Sequence, residues 1–142
     1  MLAAIPQHYG ANWIMTNNKI DNFNEKGEVL FRPTLENFGY TLKQKITGYL
    51  HGKKWSCKHI YLNYNLNLRI EIRQEPYYSD YGFSFFIYKL GTDEFNLLSN
   101  IPHERQDPED NFLIIAHDEL FSNKEKVDII NGVIWKGRTI ND

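Results

Sequence analysis

Thirteen consecutive residues in the middle of the chain alternate without a break. From Ile60 to Ile72 the even positions are Ile60, Leu62, Tyr64, Leu66, Leu68, Ile70 and Ile72, and between them stand Tyr61, Asn63, Asn65, Asn67, Arg69 and Glu71. Successive side chains of a strand point to opposite faces, so this pattern predicts extended chain with one buried and one wet face. The run is longer than a usual strand, and a tight turn would normally interrupt the alternation. One long bent strand carrying a bulge is therefore expected, in preference to two strands turning within residues 63–67.

A second strand is expected at Phe83 to Leu90, where both faces are mostly apolar (Phe83, Phe85 and Ile87 against Phe86, Tyr88 and Leu90), as for a strand covered on both sides. Only the short segment 73–82 joins the two, so they should pair antiparallel. Gly91-Thr92-Asp93 then turns into a brief strand at Phe95 to Leu98, and Phe112 to Ala116 and Val133 to Trp135 read as further short strands. Glu28 to Phe31 reads as a strand before Pro33.

Two helices complete the expectation. Thr34 is a plausible N-cap, and Leu35, Phe38, Leu42, Ile46 and Tyr49 recur at three- and four-residue spacing, predicting a long helix closed by Gly52. Ser122-Asn123-Lys124-Glu125 fits a capping box before a short helix that stops at Gly132. Residues 1–24 read as a loop-like N-terminal segment in which Trp13-Ile14-Met15 forms a short strand or a plug over the core. The whole, residues 1–142, is expected to be one α+β domain: a mainly antiparallel sheet with one long and one short helix packed on it.

Composition removes several function classes. Cys57 is the only cysteine, which excludes an intrachain disulfide framework and any Cys-rich zinc or iron–sulfur site, and points to a reducing, cytoplasmic setting. The longest unbroken apolar stretch, Phe112 to Ala116, is far shorter than a membrane-spanning helix. Met1 to Ile5 is too short for a signal peptide and lacks its charged start. No cofactor and no metal is expected.

The net charge of -2 conceals a partition: ten Lys/Arg stand against six Asp/Glu over residues 19–75, and four against eleven over residues 76–128. A dipolar surface, with one face suited to a basic partner, follows if the partition survives folding.

Several clusters of polar and aromatic residues stand out against this background. His117-Asp118-Glu119 closes the Phe112 strand and places a carboxylate beside an imidazole, the pairing a small hydrolase or transferase would need. Neighbouring residues on a strand point apart, which weakens it. His103, Glu104, Asp107, Glu109 and Asp110 occupy a loop over residues 99–111, where carboxylates could hold a hard cation or face a basic protein, but the spacing matches neither an EF-hand nor a helical zinc motif. Glu71-Ile72-Arg73 resembles the strand of a metal-dependent nuclease only superficially, because arginine cannot take the lysine's part; lateral pairing with Arg69 is the simpler reading. Lys43, Lys45, His51, Lys53, Lys54, Lys58 and His59 surround Trp55, an arrangement that could stack a base and neutralise phosphates, although the chain as a whole is acidic. The same cations could lower the pKa of Cys57, against which stands a buried, inert thiol. Tyr77, Tyr78 and Tyr81 form an aromatic turn of the kind found at protein interfaces.

The leading expectation is a small non-enzymatic protein-binding domain, of the toxin-immunity or antitoxin type. It would hold a basic toxin or nuclease through Tyr77, Tyr78, Tyr81, Glu104, Asp107, Glu109 and Asp110. An enzyme using His117 with Asp118 or Glu119, and a nucleic-acid module around Lys53, Lys54 and Trp55, are the alternatives.

Overall fold

The computed structural model describes residues 19–75 and 82–137. The first of these are helical. The chain is helical from residue 19, passes through one π turn at Phe23–Gly27 and continues as helix α1, Glu28–Asn37. Ile20, Phe23, Gly27, Phe31 and Leu35 recur every three or four residues and form its buried stripe, while Arg32 reaches back to Glu28 (2.6 Å) and on to Glu36 (3.4 Å) along the exposed side. Both the loop-like reading of residues 19–24 and the strand expected at Glu28 to Phe31 are thereby corrected. Residues 1–18, including Trp13-Ile14-Met15, lie outside the described residues.

The long helix expected from Thr34 to Gly52 divides in two. Thr34 sits inside α1, which ends where Gly39 takes φ +92° and the Phe38, Gly39 and Tyr40 amides bond back to Leu35 and Glu36. Beyond it, Thr41–Leu50 is strand β1. The segment that looked helical by spacing is rich in β-branched residues, Thr41, Ile46 and Thr47, and the left-handed glycine ends the helix before Leu42 can join its stripe.

The thirteen-residue alternation likewise divides. Strand β2 runs Lys53–Asn63 and β3 runs Leu68–Gln74, joined by a turn at residues 64–67 in which Asn67 takes φ +60° and the Asn63 side chain accepts from the Leu66 amide. Because Asn63 pairs with Leu68 across a four-residue turn, the inward set changes parity. It is Cys57, His59, Tyr61 and Asn63 on β2, and Leu68, Ile70, Ile72 and Gln74 on β3. Ile60 and Leu62 thus point away from the helices, although they share even numbering with the buried isoleucines.

Strands β4, Phe83–Lys89, and β5, Phe95–Ile101, complete an antiparallel sheet in the order β1-β2-β3-β4-β5. The sheet and helices form two layers of an α+β domain, as the sequence predicts, but from partly different segments. β4 buries Phe83, Phe85 and Ile87 inward, whereas Phe86 and Tyr88 lie on the open face, so this strand is not covered by helices on both sides. After a 3-10 turn at His103–Arg105 come α2, Phe112–Ser122, and α3, Lys124–Ile130. Phe112 to Ala116 is therefore helix and not strand: a five-residue apolar run does not by itself distinguish the two. Asn123 rather than Ser122 caps α3, accepting from the Lys126 amide at 3.1 Å, and Gly132 ends it at φ +75°. Val133 to Trp135 is irregular, with the Trp135 indole donating to Glu94.

The core lies between the inner sheet face and the helices. Phe31 of α1 meets Phe83 and Phe85 of β4 and Phe121 of α2 at ring separations of 6.1, 6.0 and 6.4 Å, and the hydroxyl of Tyr40, the residue just before β1, donates to the Ile130 carbonyl at the end of α3 at 2.6 Å.

Candidate functional site

Folding separates the acidic loop into carboxylates that hold the protein together and carboxylates that face solvent. Asp107 accepts from the Asn111 and Phe112 amides (2.9 and 2.8 Å) at the start of α2; burial works against its ionisation, but these amide bonds prevail and keep its carboxyl below the usual range. Asp110 is buried, with one oxygen 2.6 Å from Lys19 Nζ and the other accepting from Asn22 at 2.7 Å. Glu104 and Glu109 are exposed. Two of the four acids expected to meet a partner are thus occupied within the fold. Tyr77, Tyr78 and Tyr81 lie outside the described residues.

Beside this loop, α1 and α2 leave a groove of about 430 Å³ whose lining includes Glu25, Val29 and Leu30 on one side and Glu109, Leu113 and Ile114 on the other. Val29 is 73% and Ile114 50% exposed. Helical geometry explains both: α2 buries Phe112, Leu113, Ala116 and Leu120, so Ile114 and Ile115, read from sequence as core of a strand, emerge on its outer side. Lys26 also lines the groove, its ammonium 3.4 Å from the Glu109 carbonyl.

The charge partition becomes a partition between layers. Residues 41–74, which hold β1, β2 and β3, carry seven Lys/Arg and one Glu; residues 103–130, which hold α2 and α3, carry eight Asp/Glu and three Lys/Arg. Some of this is neutralised between layers, by Lys45 on Glu28 (2.7 Å) and Lys54 on Asp21 (2.6 Å). The basic cluster around Trp55 is consequently dispersed. Lys45 reaches Glu28 of α1 and Lys54 reaches Asp21 just before it, Lys58 reaches Glu71 on the open face, and His59 is buried.

On that open face Glu71 stands between two arginines, with Arg69 Nη2 at 2.9 Å and Arg73 Nη2 at 2.7 Å, in the lateral pairing the sequence suggested. Each guanidinium also lies 4.5 Å from an aromatic ring centre, Arg69 over Tyr88 and Arg73 over Phe86. The rings were legible as hydrophobic positions of β4, but their arginine partners became so only with the register of β3 against β4.

His117 sits on α2, not at a strand end. Its Nδ1 donates to Asp118 at 3.1 Å, leaving Nε2 to accept from the Thr34 hydroxyl at 2.8 Å, with Phe31 and Phe121 packed against the ring. Glu119 is drawn instead to Lys126 (2.8 Å). Thr34 was visible in sequence only as a helix cap. A hydroxyl–imidazole–carboxylate chain can move a proton, and the same bonds join α1 to α2.

Cys57 and His59 lie under the π turn, where Asn24 Oδ1 is 3.5 Å from the thiol and 3.1 Å from His59 Nε2. As a carbonyl oxygen can only accept, Nε2 carries the proton and Nδ1 is left without a partner among the described residues. Burial pushes the Cys57 thiol pKa up, overriding the Thr47 hydrogen bond and Lys45, so the thiol is not activated as a nucleophile. Burial, reinforced by Lys45, takes His59 down to about 4. Among the described residues no group of three or more His, Cys, Asp or Glu is arranged to hold a metal, and no helix is long and apolar enough to cross a membrane.

Fold and surfaces together define the class: a two-layer α+β protein with a basic sheet and an acidic helical layer. No family model, curated protein or solved structure matches the chain.

Proposed function

We propose that the protein is a non-enzymatic binding domain of the immunity or antitoxin type, which docks a basic protein partner such as a nuclease on its helical layer. The observation that carries this reading is the α1–α2 groove, where exposed Val29 and Ile114 are flanked by Glu25 and Glu109 in a layer dominated by acids. Apolar contact area supplies affinity at the centre of such a surface, and a surrounding field of one sign selects partners and speeds encounter. Of the acids singled out in the sequence, Glu104 and Glu109 are free to serve. Asp107 and Asp110 support the site by shaping its loop. A reducing, cytoplasmic setting fits the single thiol.

The test is affinity capture from the source cell with the full chain as bait, comparing wild type with Ile114→Asp and with Glu25→Lys/Glu109→Lys. A basic protein recovered by wild type and lost with both variants supports the reading. Equal recovery with all three baits removes the groove as the binding surface.

A second reading rests on the Thr34–His117–Asp118 chain. There Asp118 would orient His117, and His117 would take a proton from Thr34 or from a water molecule during hydrolysis. Hydrolysis of an activated ester that disappears in His117→Gln would favour it, with loss in Thr34→Val as well marking Thr34 and not water as the proton source, while unchanged turnover in His117→Gln would end it.

A further inference from the structure

Two guanidinium–ring stacks stand on the face of the sheet turned away from the helices. Arg69 lies 4.5 Å from the Tyr88 ring centre and Arg73 4.5 Å from that of Phe86, and the two rings are themselves stacked at 5.9 Å. Glu71 takes in-plane donors of both arginines. Arg69 Nη2 meets it at 2.9 Å, while Arg73 donates to it from Nε (3.1 Å) and Nη2 (2.7 Å) and from Nη2 to the Tyr88 hydroxyl as well (2.9 Å). What each guanidinium still offers is the flat side turned away from its ring, and the Arg69 and Arg73 side chains are 36% and 26% exposed.

Charge points the same way. Residues 41–74 carry seven Lys/Arg and one Glu, of which Lys45 and Lys54 are neutralised by Glu28 and Asp21. Lys58, opposite Arg73 in the register, is 39% exposed, and its ammonium is no nearer than 3.9 Å to Glu71. Glu75, just past the end of β3, lines a hollow of about 320 Å³ with Arg73, Ser84 and Phe86 and bounds the basic surface on that side.

We propose that this face binds single-stranded nucleic acid, with one base stacked on the free side of Arg69, another on that of Arg73, and Lys58 neutralising backbone phosphate. A nucleobase is the partner that a guanidinium plane takes face to face. An acidic protein segment would need the in-plane donors that Glu71 already holds. Spacing selects a single strand: Arg69 and Arg73 stand four residues apart on β3, about 13 Å along it, against roughly 3.4 Å between successive stacked bases in a duplex. The surface is centred on β3 and β4 rather than on the dispersed lysines around Trp55. It lies on the layer opposite the α1–α2 groove and does not depend on a protein partner there.

Fluorescence anisotropy of a short labelled mixed-sequence oligonucleotide tests this with the full chain, the probe being presented as single-stranded DNA, single-stranded RNA and duplex DNA between about 50 and 200 mM salt. Saturable binding of either single strand, tighter than that of the duplex and weakening with salt, is expected, and the tighter of the two identifies the strand taken. Arg69→Lys/Arg73→Lys keeps both charges and removes both planes; it should weaken binding about tenfold, with unchanged far-UV circular dichroism. Lys58→Gln, outside both stacks, should weaken binding about threefold and flatten the salt dependence. Lys124→Gln removes the same charge from the helical layer, where that side chain is 89% exposed, and should leave binding intact. Absence of saturable binding to either strand overturns the proposal. So does displacement of the strand by inorganic polyphosphate or poly-glutamate as effectively as by unlabelled strand, since neither carries a base, or an equal loss in Lys124→Gln and Lys58→Gln.

Discussion

Lys19 and Asp110, ninety-one positions apart, form an ion pair 2.6 Å long with side chains 9% and 2% exposed. Lys19 also donates to the Asp107 carbonyl at 3.1 Å, and Asp110 takes φ +61° just before α2. One ammonium therefore fixes the loop that begins α2 against the helical residues 19–22 that lead into α1, and with it the spacing of the α1–α2 groove.

Removing the ammonium leaves Asp110 buried with only Asn22 as a side-chain partner. Lys19→Met should accordingly lower unfolding free energy by about 3 kcal/mol, the usual scale for an orphaned buried charge. Glu109→Ala, at an exposed carboxylate, should change it by less than about 0.5 kcal/mol. Urea denaturation at neutral pH measures both. Equal midpoints for the two variants would contradict the structural role of the pair.

Little of this was legible in the sequence, because Lys19 and the acidic loop have no local relationship. Local patterns fared better where they were long or chemically special. Phe83 to Lys89, the stop at Gly132 and the short helix from Lys124 all lie close to where periodicity and capping placed them. The misreadings share a physical cause. Spacing over Leu35 to Tyr49 satisfied a helix template across Gly39, whose left-handed φ ends the helix. Even-numbered alternation ran through the 64–67 turn because a four-residue turn changes parity without disturbing the pattern. The buried stripe from Ile20 to Leu35 was hidden by a π turn and by Pro33, which sits inside α1 although proline usually marks a boundary. For the candidate site, acidic character was readable, whereas the distinction between structural Asp107 and Asp110 and exposed Glu104 and Glu109 required tertiary contacts.

Gly39 also makes a specific prediction. A Cβ there would stand 2.9 Å from Asn63 Nδ2, the atom that donates to the Phe38 carbonyl, and φ +92° already disfavours any side chain. Gly52, at φ +76°, has nothing within 4 Å. Gly39→Ala should therefore cost about 2 kcal/mol and Gly52→Ala about 1 kcal/mol, both read from thermal unfolding. A larger loss at Gly52 would show that the Asn63 contact does not constrain the helix end.

His59 predicts an acid-side loss of stability. The ring is fully buried, 4.7 Å from Phe23, with Lys45 and Glu28 as the charged neighbours acting on it. An unfolded chain binds a proton near 6.5 and the folded chain only at about 4. Between those values the unfolded state holds more protons, so stability falls as pH drops through the window and is unaffected by this group above it. The loss should reach about 3 kcal/mol at the lower end. His59→Gln, which retains a donor for Asn24, should flatten that slope in urea midpoints taken across the window. An unchanged slope would place the titrating group elsewhere.

Glu71 is the keystone of the open sheet face, and its contribution can be separated from that of the stacking around it. Its carboxylate faces Arg69, Arg73 and Lys58, and the residue is only 4% exposed, while Arg73 additionally donates to the Tyr88 hydroxyl at 2.9 Å. Glu71→Leu removes the carboxylate that pairs with Arg69, Arg73 and Lys58, and should destabilise by about 2–3 kcal/mol in low salt and less in high salt, where the remaining repulsion is screened. Arg73→Met loses the guanidinium over Phe86 but keeps an apolar stem. With both changes made, the double variant should be more stable than the sum of the single losses by about 1 kcal/mol, because Glu71 is no longer there to miss Arg73 and less positive charge remains to repel. Additive losses in the cycle would mean that the arginines are held by Phe86 and Tyr88 alone and that Glu71 merely fills space between them.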